Sequence, residues 1–129
     1  HSVGVDIETM TDKNNVDALA KHCFSAEEFK QYSELSENLR PRAFFRGWSR
    51  KEAYLKALGT GLNKDLRSFS INIFDDKPHA PIVHTQLAMG EKQWLIQPIN
   101  LAESYNCAAA VVINNNIKDI NYRSLSLAI

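Results

Sequence analysis

Four side chains in this sequence have the types and spacings that phosphoryl chemistry uses. Asp6 and Glu8 stand at i and i+2 in Ser2-Val3-Gly4-Val5-Asp6-Ile7-Glu8, which alternates polar and apolar residues. Such alternation predicts a strand with Val3, Val5 and Ile7 on one face and Ser2, Gly4, Asp6 and Glu8 on the other. The two carboxylates then share a face, with Cα atoms about 6.6 Å apart. Carboxylates aimed together repel each other unless a cation lies between them, and Gly4 and Ser2 leave room beside them for a ligand. The plainer account is two unrelated acids on a half-exposed strand. Glu52 and Lys56 stand at i and i+4 within Trp48-Ser49-Arg50-Lys51-Glu52-Ala53-Tyr54-Leu55-Lys56. On a helix surface this is an ordinary ion pair worth about 0.3–0.5 kcal/mol. Its functional account is a third metal carboxylate and a lysine placed for a phosphate. Oxygen-only ligands favour Mg2+ or a similar hard cation, which keeps waters and substrate phosphate in its shell. A cation beside a lysine is common equipment for phosphoryl transfer.

The elements that must position these residues are legible from periodicity. Ser25-Ala26-Glu27-Glu28 is a capping box and predicts a helix from Ala26 to about Leu35. From about Leu39 to Leu58, Phe44, Trp48, Leu55 and Leu58 recur at helical spacing, and Phe45 and Ala53 widen the stripe. Pro41 fits the first turn of that helix, and Gly59 and Gly61 supply its stop. The helix would run about 30 Å. Trp48 lies on the stripe, so it reads as core or pocket wall more than as a recognition stack. Gly59-Thr60-Gly61 follows a helix rather than preceding one, so it reads as a C-terminal turn and not as a phosphate loop. Val16 to His22 is a weak helix candidate. Phe69 to Phe74 alternates and ends at Asp75-Asp76-Lys77-Pro78, a turn signal. Ile82 to Leu87, Gln93 to Gln97 and Cys107 to Ile113 read as further strands. The predicted fold is one α+β domain over residues 1–129, a long helix packed on a largely antiparallel sheet.

Composition narrows the function classes. The chain has 15 basic and 15 acidic residues, and a general nucleic-acid or anionic-membrane binder would carry a basic excess. That balance also weighs against reading Arg40, Arg42, Arg46, Arg50 and Lys51, interleaved with Phe44, Phe45 and Trp48, as a nucleic-acid surface. No apolar run approaches the ~20 residues of a membrane span, and no signal-peptide pattern is present. The four histidines lack zinc-site spacing. Cys23 and Cys107 form no CxxC, which suits a reduced, cytoplasmic protein.

Taken together, Gly4-Val5-Asp6-Ile7-Glu8, Phe24-Ser25-Ala26-Glu27-Glu28-Phe29 and Trp48-Ser49-Arg50-Lys51-Glu52-Ala53-Tyr54-Leu55-Lys56-Ala57-Leu58-Gly59-Thr60-Gly61-Leu62 resemble the 4′-phosphopantetheinyl transferase superfamily in order, spacing and chemistry. The resemblance runs from Gly4 to about Ile113. It implies that Asp6, Glu8 and Glu52 are magnesium carboxylates and that Lys56 contacts phosphate. Lys51, in the same motif, and Trp48 are implied as coenzyme A contacts. It further implies that a carrier-protein serine attacks the β-phosphate of coenzyme A and releases adenosine 3′,5′-bisphosphate. Glu52 would take the serine proton, directly or through a water, while Lys56 stabilises developing charge. The Asp-Ile-Glu and Trp-Ser-Arg-Lys-Glu motifs look like the C-terminal half of the surfactin-synthetase-activating type, which fuses two similar halves. The short, trimeric build carries a Ser-His pair before its last strand, where Leu101 stands here. With a start at His1 inside a strand, these features give the expectation of a missing N-terminal half. Without that half, the chain would self-associate through an uncovered apolar face, that of Val3, Val5 and Ile7 or that of Phe69, Ile71 and Ile73. The alternative function is a non-catalytic half that only binds carrier protein or its other half.

Overall fold

The computed structural model describes residues 3–9, 16–59, 65–75, 77, 79, 81–83, 94–99 and 107–114. Among them are strands β1 (Val3–Thr9), β2 (Phe69–Ser70), β3 (Ile82–Val83), β4 (Trp94–Ile99) and β5 (Cys107–Asn114). The helices are α1 (Val16–Cys23), α2 (Ala26–Ser33) and α3 (Arg40–Leu58). Strands β1, β5 and β4 form one antiparallel sheet in that order, with β5 in the centre. Helix α3 lies across β1 and β5. This is the expected α+β arrangement. No helix among the described residues is long and apolar enough to cross a membrane.

Local chemistry sets the boundaries. Ser25 Oγ accepts the Glu28 N–H at 3.2 Å, and Glu28 Oε1 accepts the Ser25 N–H at 2.7 Å, closing the capping box at the start of α2. Pro41 sits in the first turn of α3, where its missing N–H costs nothing. Gly59 ends α3 with φ +70° and donates its N–H to Leu55 O and Lys56 O.

The segment after α3 departs from expectation. The alternation predicts a strand over 69–74, yet among the described residues only Phe69 and Ser70 pair with a neighbouring strand. Phe69, Ile71 and Ile73 keep the alternation and are buried. Side chains replace the ladder beyond Ser70. Ile71 N–H donates to Glu28 Oε2 at 2.6 Å and Asn72 N–H to His79 Nε2 at 3.1 Å. Arg50 donates to Asn72 O and Arg46 to Ile73 O and Phe74 O. Backbone groups need partners, not necessarily a strand. Strands β4 and β5 run a residue or two past their predicted ends, and residues 84–87 of the predicted third strand lie outside the described residues.

Candidate active site

Strand β1 turns its polar face inward. Gly4 and Asp6 are buried, whereas Val3, Val5 and Ile7 are 46–58% exposed. The reason is the approach of α3. A Cβ on Gly4 would overlap the Ala53 carbonyl oxygen and lie 2.5 Å from Ala57 N, so only glycine lets strand and helix meet backbone to backbone. Asp6, two residues on, is thereby driven against the same helix.

Lys56 Nζ donates to Asp6 Oδ1 at 2.9 Å and to Val5 O at 3.2 Å. Asp6 Oδ2 is buried and has no hydrogen-bond partner. Glu8 accepts the indole N–H of Trp48 on Oε1 at 3.1 Å. Glu52 lies one turn before Lys56 on α3. The carboxylates feel one another. Burial, then the nearby Asp6 carboxylate, raise the Glu8 carboxyl, against the opposing Trp48 bond. Burial and the Asp6 charge raise Glu52, while Lys56 pulls it down. The Asp6 hydrogen bond raises Lys56, which stays a cation. Three acids and one lysine thus meet along the β1–α3 seam.

Lys51, expected as a coenzyme A contact, lies with no part of its side chain exposed. Its Nζ lies 2.7 Å from Glu28 Oε1 and donates to Leu66 O at 2.5 Å and Phe69 O at 2.6 Å. It also sits 4.3 Å from the Phe69 ring centroid. Desolvation lowers its pKa, and Glu28 opposes the shift. The signal was available: 44, 48, 51, 55 and 58 form one helical stripe, and Lys51 fills its centre. Glu28 was legible as a capping residue but not as the partner of Lys51. Trp48 is half-buried and stacks on Phe44 at 6.2 Å and 19°. Its one donor serves Glu8, so a polar contact from it to coenzyme A is not available in this arrangement. Leu101 and Gly61 lie outside the described residues.

The sequence profile of the 4′-phosphopantetheinyl transferase superfamily matches residues 2–110, a span that holds all four side chains of the seam. The chain belongs to this superfamily. Among transferases similar to it, HetI of Nostoc sp. PCC 7120 is 32% identical over 111 residues, covering 86% of this chain and 43% of HetI. A 4′-phosphopantetheinyl transferase of Bacillus subtilis is 31% identical over 126 residues, covering 95% and 54%. A holo-[acyl-carrier-protein] synthase of Blochmanniella pennsylvanica is 30% identical over 122 residues, covering 88% and 96%. The chain therefore spans about half the length of the first two relatives. The crystal structure of Thermotoga maritima holo-[acyl-carrier-protein] synthase shares the fold, with TM-score 0.53 at 20% identity, covering 88% of this chain and 62% of that one.

The phosphopantetheinyl transferase resemblance implies magnesium, and the residues present suit it in kind. The donors are carboxylate oxygens, and Asp6 Oδ2 is a buried acceptor with nothing to accept. The three acids do not close on one point: among the described residues no group of three His, Cys, Asp or Glu side chains is spaced to hold an ion. Repulsion among the acids favours such a spread, and Lys56 holds one oxygen of Asp6.

Proposed function

We propose that this chain transfers the 4′-phosphopantetheine group of coenzyme A to a serine of an acyl or peptidyl carrier protein. The observation that carries the reading is the β1–α3 seam, where Asp6 and Lys56 meet at 2.9 Å within the span that matches the superfamily. Asp6, Glu8 and Glu52 would hold Mg2+. The ion would supply charge neutralisation on the coenzyme A pyrophosphate. Lys56 is about half exposed and can swing from Asp6 to a phosphate oxygen. Glu52, raised by burial and by Asp6, would serve as the base for the incoming hydroxyl. The serine Oγ bonds to the β-phosphorus, and its proton goes to Glu52. The bond from that phosphorus to the bridging oxygen breaks, and adenosine 3′,5′-bisphosphate leaves with the electron pair. Lys56 stabilises the charge on the transferring phosphoryl group.

The polypeptide, Mg2+, coenzyme A and an apo carrier protein test this directly. Mass spectrometry of the carrier should show phosphopantetheine on its serine, dependent on Mg2+ and lost in Asp6→Ala and Glu52→Ala. Binding of the carrier without modification would support the alternative, a half that docks its partners but does not turn over alone.

The chain also has a surface suited to a second copy. Among the described residues, α3 covers one face of the sheet. Among described residues the other face carries Val3, Val5 and Ile7 and, by register, Leu95, Gln97 and Ile99. None is charged, so two such faces meet without repulsion.

A further inference from the structure

We propose that Trp48 is a positioning residue for Glu8: its indole N–H, 3.1 Å from Glu8 Oε1, restrains that carboxylate on the strand face it shares with Asp6 and so favours binding of a divalent cation by the pair. This inference rests on the metal-site reading of the proposed function and deepens it.

The geometry assigns the role. Asp6 already has its own restraint, because Lys56 grips Oδ1 and leaves Oδ2 free. Glu8 sits nearer the end of β1 and is only half-buried, so its side chain would sweep several rotamers if nothing held it. Trp48 is the group that reaches it from α3. The indole cannot drift, since its ring stacks on Phe44, which in turn meets Phe45 edge to face at 5.1 Å. A rigid aromatic platform carrying one directed donor is well matched to fixing one carboxylate oxygen while leaving Oε2 to a ligand. Groups that orient metal ligands in this way typically contribute 10–100-fold to metal affinity.

Mn2+ binding to the full chain, followed by electron paramagnetic resonance, tests the role without reference to activity. Trp48→Phe keeps the ring on Phe44 and removes the N–H. We expect it to weaken Mn2+ binding about 10–100-fold. Glu8→Gln should weaken binding too, and Trp48→Phe should add little in the Glu8→Gln background, since the bond it removes has lost its acceptor's role. Equal Mn2+ affinity in wild type and Trp48→Phe would overturn the inference alone. So would full additivity of the two changes. A wild-type chain that takes no Mn2+ would overturn the metal site and this role together. A measurement on proteins that retain the tryptophan covers the case in which Trp48→Phe fails to fold. The Trp48 indole N–H resonance, assigned against Trp94→Phe, should shift in Glu8→Gln; an unmoved resonance would show that the bond is absent in solution.

Discussion

Lys51 Nζ and Glu28 Oε1 lie 2.7 Å apart, and neither side chain is more than 1% exposed. This pair ties the start of α2 to the middle of α3, and Glu28 Oε2 also holds the Ile71 N–H. The neighbouring helix position is Glu52, so the rotation of α3 that buries Lys51 also aims Glu52 toward β1. Removing one partner leaves a buried charge unpaired. Lys51→Met should cost about 3–5 kcal/mol in urea denaturation. Adding Glu28→Gln should recover part of it, because the amide oxygen still accepts a backbone N–H and no charge is stranded. Wild-type stability in Lys51→Met alone would contradict the pair's structural role.

Gly4→Ala should separate β1 from α3. The added Cβ meets backbone atoms of Ala53 and Ala57, which cannot turn aside as a side chain can. Overpacking of this kind costs about 1–3 kcal/mol, and the displaced strand carries Asp6 away from Lys56. Thermal melting should show the loss of stability, and carrier modification should fall with it. A variant with an unchanged melting temperature would mean that the strand and helix are not in contact.

Lys56→Ala separates catalysis from folding. The lysine side chain is 53% exposed, and an exposed pair contributes only about 0–1 kcal/mol. The melting temperature should hold nearly constant while turnover drops about 10²–10³-fold, the usual loss for one transition-state donor. Equal turnover in the variant would remove Lys56 from the mechanism.

His79 should make the fold acid-sensitive. Its Nε2 accepts from the Asn72 N–H at 3.1 Å, so the proton sits on Nδ1, which faces Lys77 O at 3.0 Å. Desolvation lowers its pKa, although the Lys77 carbonyl opposes the shift. A lowered folded-state pKa means that the unfolded chain binds the proton more tightly. The contribution of His79 is therefore complete above about pH 6.5 and declines as the pH falls toward the depressed value. Stability measured from pH 7.5 to 5 should fall less steeply in His79→Gln than in wild type. Parallel slopes would assign the sensitivity to other groups.

Val5→Lys tests the outward face of the sheet. A charge at the centre of the exposed β1 stripe should abolish concentration-dependent association in light scattering while leaving the melting curve of the monomer intact. Identical scattering from wild type and Val5→Lys would show that this face meets no second copy.

Periodicity and cap chemistry were enough to place α2 and α3, because a capping box, an apolar stripe, a first-turn proline and a left-handed glycine are local signals whose energetics act within a few residues. The same reading put Asp6 beside Glu8 and Glu52 beside Lys56, since spacing on a strand or helix is a local property. What brought the two pairs together was tertiary. The contact of Gly4 with Ala53 and Ala57 spans about fifty residues of sequence, and no periodicity encodes which face of β1 meets the helix. A strand with Val3, Val5 and Ile7 on one side would ordinarily bury that side; here the glycine face is buried because only it permits the close approach. The burial of Lys51 was not legible for a related reason. A lysine next to a site acid looks like a ligand contact in one dimension. Its burial depends on Glu28, Leu66 and Phe69 supplying partners from three separate elements, and only the packed chain collects them. The strand predicted beyond Ser70 failed likewise: alternation measures which side chains are buried, whereas strand pairing depends on where the backbone hydrogen bonds go, and here Glu28, His79, Arg46 and Arg50 took them.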